Sequence, residues 1–155
     1  MGWAWYALGE ERPATVVNAR EQVARFIDET AEALGVPSAR VALMGFSQGA
    51  ATSLHVALTS PVTFGGVVVM SGYLPAAETL DLELEGRALT PQKILMVHGT
   101  DDQTLDVSLA REARDLLGQA GLAPRYFEFP MGHTITAESL DAVRQFLGEV
   151  FPPRT

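Results

Sequence analysis

The stretch Arg40-Val41-Ala42-Leu43-Met44-Gly45-Phe46-Ser47-Gln48-Gly49 decides how the rest of the chain is read. From Val41 to Met44 it is apolar with no polar alternation, the pattern of a parallel strand covered on both faces. Gly45 breaks the run, and Gly45-Phe46-Ser47-Gln48-Gly49 has the form Gly-x-Ser-x-Gly. A helix of small residues follows, from Gln48 to about Thr59, closed by Ser60-Pro61. A strand, a tight turn carrying a serine and then a helix hold the seryl Oγ above a sheet. Glycines suit such a turn because the chains around it pack closely. The N–H groups of the first helical turn lie where an oxyanion would form. The five-residue pattern alone also fits a glycine-rich turn with an idle serine; the strand before it and the helix after it favour the elbow.

On the N-terminal side, Ala14 to Leu34 has helical periodicity, with Val16, Val17, Val23, Phe26, Ile27 and Leu34 on one stripe. Asn18 with Glu21 offers a capping box inside this helix, and Gly35 and Pro37 stop it. On the C-terminal side, Phe64 to Met70 reads as a second buried strand. A long loop runs from about Ser71 to Gln92, and its acidic residues Asp81, Glu83 and Glu85 read as a solvated face. Ile94 to His98 is a third strand, followed by a helix from about Asp106 to Ala120 that Gly121 ends. Pro124 to Phe129 is a fourth strand, whose proline and charges suit a sheet edge. The last helix spans about Thr136 to Val150. This alternation predicts an α/β fold: one domain over residues 1–155, with a mainly parallel sheet of about four strands and helices on both faces. Ligands in such sheets bind beyond the carboxyl ends of the strands.

Composition narrows the function classes. The formal net charge of −8 argues against a general nucleic-acid binder. The chain has no cysteine, which excludes disulfides, thiolate metal sites and a cysteine nucleophile and suits a reducing, cytoplasmic setting. The apolar start from Met1 to Leu8 has no basic segment and meets Glu10 and Glu11 at once, unlike a signal peptide. No apolar stretch is long enough to span a bilayer.

A nucleophilic serine needs a base, and the chain has three histidines. His133, in Gly132-His133-Thr134-Ile135, lies in the loop after the fourth strand, where it can reach over Ser47. His55 falls inside the helix after the elbow and reads as a surface or core histidine. His98 ends the third strand and reads as a structural hydrogen-bonding group. The base needs an orienting carboxylate, and Asp101 and Asp102 follow the third strand. The chain order Ser, Asp, His is that of α/β-hydrolases. A metal site from His98, Asp101, Asp102 and His133 is disfavoured by its ligand spacing, so neither a metal nor another cofactor is expected.

At these residues the chain resembles the phospholipase/carboxylesterase family, which includes bacterial carboxylesterases and acyl-protein thioesterases. The similar stretches are Trp5-Tyr6, Gly45 to Gly49, Ser71-Gly72-Tyr73-Leu74-Pro75, His98-Gly99-Thr100-Asp101-Asp102 and Gly132 to Ile135, in family order along essentially the whole chain. The resemblance implies hydrolysis of small-molecule esters or thioesters through an acyl-serine. Ser47 would attack, His133 would carry the proton, Asp102 would orient the imidazole with Asp101 the second choice, and the Gln48 N–H would be one oxyanion donor. By the same resemblance, Leu74 would line the acyl pocket with Trp5 nearby, although both also fit ordinary core. Peptide or lactone cleavage is a further chemistry open to this fold. In the family, strands and a His-Gly oxyanion loop precede the segment that begins here. Met1 is therefore expected to fall about half a sheet into the family pattern, as in a chain whose missing strands a partner chain supplies, or in a truncated or degenerate hydrolase with little activity. In that case Arg40 to Phe46 would expose a sheet edge open to self-association.

Overall fold

The structure is a computed structural model that describes residues 13–77 and 90–152. The acidic stretch at Asp81, Glu83 and Glu85, and Trp5, lie outside the described residues. In chain order the elements are α1 (Pro13–Leu34), β1 (Ala42–Phe46), α2 (Gln48–Thr59), β2 (Gly66–Met70), β3 (Ile94–Gly99), α3 (Val107–Gln119), β4 (Arg125–Phe129) and α4 (Ala137–Val150), with a short 3-10 turn at Ser38–Arg40 before β1. The strands form one four-stranded parallel sheet in the order β1-β2-β3-β4. Helices cover both faces, as the alternation of the sequence predicts.

The register explains the two layers of core. Leu43, Val67, Val69, Ile94 and Met96 point to one face, where they meet Ala50, Leu54 and Ala57 of α2 and Ala110, Ala113 and Leu117 of α3. The alternate residues Val68, Met70, Leu95 and Val97 point to the other, against Val143 and Phe146 of α4. The alanines of α2 and α3 matter because small side chains let a helix lie close on a sheet of valines. Helix ends follow the sequence signals. Gly35 and Gly121 take positive φ, and the bonds Val36 N–H to Ala31 O and Leu122 N–H to Leu117 O close the preceding helices. Asp106 caps α3 by accepting from the Ser108 N–H, and Thr136 and Ser139 form a capping box on α4.

Three local expectations need correction. Asn18 and Glu21 do not start a helix: α1 runs through them from Pro13, and Asn18 accepts from Gln22 four residues on. The α1 stripe is buried only in part. Val16 is buried and Val23 and Ile27 pack on the core, but Phe26 is 68% exposed and Leu34 70%. Among the described residues β1 is not covered on both faces. It is the edge of the sheet of described strands, and α4 lies over β2 and β3, so Met44 is 54% exposed. An apolar run therefore marks a strand without stating how many of its faces are covered.

Candidate active site

The carboxyl ends of β1 and β3 and the loop after β4 bring Ser47, Asp102 and His133 together. Ser47 sits between β1 and α2 with φ 55° and ψ −124°, a conformation L side chains rarely adopt. Its N–H bonds to Met70 O on β2, and its carbonyl accepts from Ala50 and Ala51 in the first turn of α2. The strained residue is thus held from both sides. A Cβ at Gly45 would overlap the Gly49 carbonyl and the Ala50 nitrogen, so the strand can turn back on its helix only with glycine there. Gly49 is different: a Cβ would meet nothing within 4 Å. Close packing, expected at both glycines, acts at Gly45 alone, because Gly49 already lies on the open side of α2.

His133 links the other two residues. Its Nδ1 lies 2.7 Å from Asp102 Oδ2 and its Nε2 lies 3.0 Å from Ser47 Oγ. A carboxylate can only accept, so Nδ1 carries the hydrogen and Nε2 receives the seryl proton's hydrogen bond. Asp102 is 5% exposed, whereas Asp101 is exposed, so of the two candidates Asp102 faces the imidazole. Burial pushes the Asp102 carboxyl up. The N–H groups of Leu105 and Thr104, each 2.9 Å from Oδ1, and the His133 ring outweigh it and hold the group below the ordinary carboxylate value. The carboxylate is therefore ionised and fixed.

Two contacts that the sequence reading missed lock this arrangement. The Phe46 ring packs on the His133 ring, with centroids 4.7 Å apart, so the residue before the serine orients the imidazole. A Cβ at Gly99 would overlap Met131 O and come within 2.7 Å of Gly132 O, so glycine at this position lets the Asp102 loop lie against the His133 loop. The Thr100 N–H to Phe129 O bond and the Asp101 N–H to Met131 O bond sew the two loops together. The sequence signal for the second contact was the glycine directly after His98; nothing in one sequence separates Phe46 from a core aromatic.

The other predicted residues fall as follows. Gln48 opens α2, beside Ser47. Leu74 is half-buried against the α2–α3 core and lines a cavity of about 230 Å³ with Tyr73, Pro75, Leu109, Glu112 and Leu116. His55 is fully buried in α2. His98 is buried at the end of β3 and donates from Nε2 to Leu105 O at 2.9 Å. Among the described residues no group of three His, Asp or Glu side chains is placed to hold a metal ion. No helix among them is long and apolar enough to cross a membrane.

A parallel sheet with a serine elbow after one strand, a carboxylate after another and a histidine after a third defines the α/β-hydrolase class. Comparison with known proteins takes this further. Residues 1–151 match the model of the phospholipase/carboxylesterase family. The chain is 34% identical over 126 residues to an acyl-protein thioesterase 1 of Neurospora crassa, covering 76% of this chain and 49% of that protein. It is 30% identical over 154 residues to a probable carboxylesterase of rice, covering 93% of this chain and 64% of that protein. Among solved structures it superposes on the esterase PE8 with a TM-score of 0.87 at 28% identity, covering 97% of this chain and 71% of that one. The chain belongs to the phospholipase/carboxylesterase family. It spans about half the length of the Neurospora relative.

Proposed function

We propose that the protein hydrolyses carboxylic esters or thioesters through an acyl-serine on Ser47. The observation that carries this reading is the continuous chain of contacts from Ser47 Oγ through His133 to the buried Asp102. As Oγ attacks the acyl carbon, its proton passes to His133 Nε2, and Asp102 stabilises the imidazolium without taking the proton. The first-turn N–H of α2 at Gln48 is an oxyanion donor. Collapse of the tetrahedral intermediate expels an alkoxide or thiolate, which takes the proton from Nε2. Water then repeats the sequence and releases the acid and the free serine. Leu74 and Trp5 are proposed to contact the acyl chain. A panel of p-nitrophenyl esters and acyl thioesters, with Ser47→Ala as control, tests this. Turnover that disappears in the variant supports it, and turnover that survives removes Ser47 from the reaction.

The edge of the described sheet at β1 is a proposed surface for self-association: the strand is apolar, and a cavity of about 550 Å³ lined by Val23, Phe26, Ile27 and Met44 runs beside it.

A further inference from the structure

We infer that His98 is a positioning residue for the Asp102 carboxylate, a role that rests on the proposed acyl-serine chemistry. Asp102 Oδ1 accepts from the Thr104 and Leu105 N–H groups, and Oδ2 accepts from His133. His98 approaches the same Oδ2 from another side, with Nε2 3.5 Å away. That nitrogen also lies 2.9 Å from Leu105 O, and because a carbonyl can only accept, Nε2 carries a hydrogen. The hydrogen is given to the Leu105 carbonyl, and the carboxylate lies beside it at a distance of electrostatic contact and not of a hydrogen bond. Leu105 is thus held twice: its carbonyl by His98, and its N–H by the carboxylate it supports. The loop from Asp102 to Leu105 cannot rotate without breaking both contacts.

The other edge of the ring makes the case sharper. His98 is 1% exposed, and its Nδ1 has no hydrogen-bond partner among the described residues. Buried polar atoms are usually paired, because leaving one unpaired has a desolvation cost. A merely space-filling residue at this point would be apolar, like its strand neighbours Met96 and Val97. What an imidazole adds here is the Nε2–H, delivered to the acid loop from the rigid end of a central strand. His98 acts through Asp102, which in turn orients His133.

A double-mutant cycle with steady-state kinetics tests the inference. In the full chain, His98→Leu is expected to lower kcat about tenfold or more while KM changes little, the range seen when a supporting hydrogen bond to a functional ligand is removed. His98→Gln, whose amide nitrogen reaches the place of Nε2, is expected to recover most of that loss. In the Asp102→Asn background, His98→Leu is expected to add less than about twofold, since a residue acting through the carboxylate has nothing left to position. If His98→Leu does not fold, the comparison of His98→Gln with His98→Asn decides: the shorter amide cannot reach Leu105 O, so the glutamine variant should be the faster by about tenfold. Wild-type kcat in His98→Leu, the same loss with and without Asp102, or equal rates for the glutamine and asparagine variants overturns the inference. Should Asp102→Asn alone leave turnover intact, the acyl-serine relay itself fails and the role of His98 falls with it.

Discussion

Asp101 and Asp102 are neighbours in sequence but not in environment, and the difference sets the first prediction. Asp102 is buried against His133; Asp101 faces solvent and gives its backbone N–H to Met131 O. Asp102→Asn should lower kcat by about 10⁴, by loss of the correct imidazole tautomer. Asp101→Asn should change it by less than about threefold, as surface substitutions usually do. Equal losses in a stopped assay would mean that the carboxylate facing His133 is not the one the reaction uses. The two elbow glycines make a second pair. Gly45→Ala forces a Cβ into the first turn of α2 and should cost about 3 kcal/mol in urea unfolding. Gly49→Ala, inside the helix with open space beside it, should be neutral or stabilising by up to about 1 kcal/mol. The sequence could not separate these glycines, because a motif states that both occur and not which backbone each one faces. It did place Ser47, Asp102 and His133 beyond three strands of one parallel sheet, where the structure brings them within hydrogen-bonding distance.

Between elements, α3 and β4 are tied by a paired Arg111–Glu128 contact of 2.8 and 2.7 Å, with the Tyr126 hydroxyl donating to the same carboxylate. Arg111 above all, then Tyr126, holds the Glu128 carboxyl down at about 2, against burial that raises it. The linkage has a definite sign. A carboxyl whose pKa is lower in the folded state contributes stability that is full above its unfolded value of 4.5 and is lost as pH falls toward about 2. Both partners are partly exposed, so solvent screening keeps the pair's contribution to stability small. Glu128→Gln should lower Tm slightly at neutral pH and flatten the fall of Tm between pH 4.5 and 2; an unchanged acid slope would show that the pair contributes nothing. Helix and strand positions were legible to within two or three residues, because caps, glycines and apolar runs act locally. The exposure of Phe26 and Leu34 on α1 was not, since periodicity shows that a helix has an apolar face but not how much of it a neighbour covers.

At the scale of the whole molecule, β1 carries the serine elbow and is also the edge of the described sheet. Its apolar composition was plain in the sequence, but which of its faces the described elements cover was not, because coverage depends on where α4 lands. If that edge pairs with a second copy, sedimentation should show association that rises with protein concentration and is suppressed by Met44→Lys, a charge being a known block to strand pairing. A concentration-independent monomer would remove the self-association proposal. The proposed chemistry depends on one property of the folded chain, an activated hydroxyl at the elbow. Intact-mass analysis and peptide mapping after treatment with a fluorophosphonate test it most directly. One adduct per chain, on Ser47, formed in the native protein and lost in His133→Ala, is the predicted result. An adduct on Ser53 or Ser71, or native protein that takes up no label at all, would contradict it.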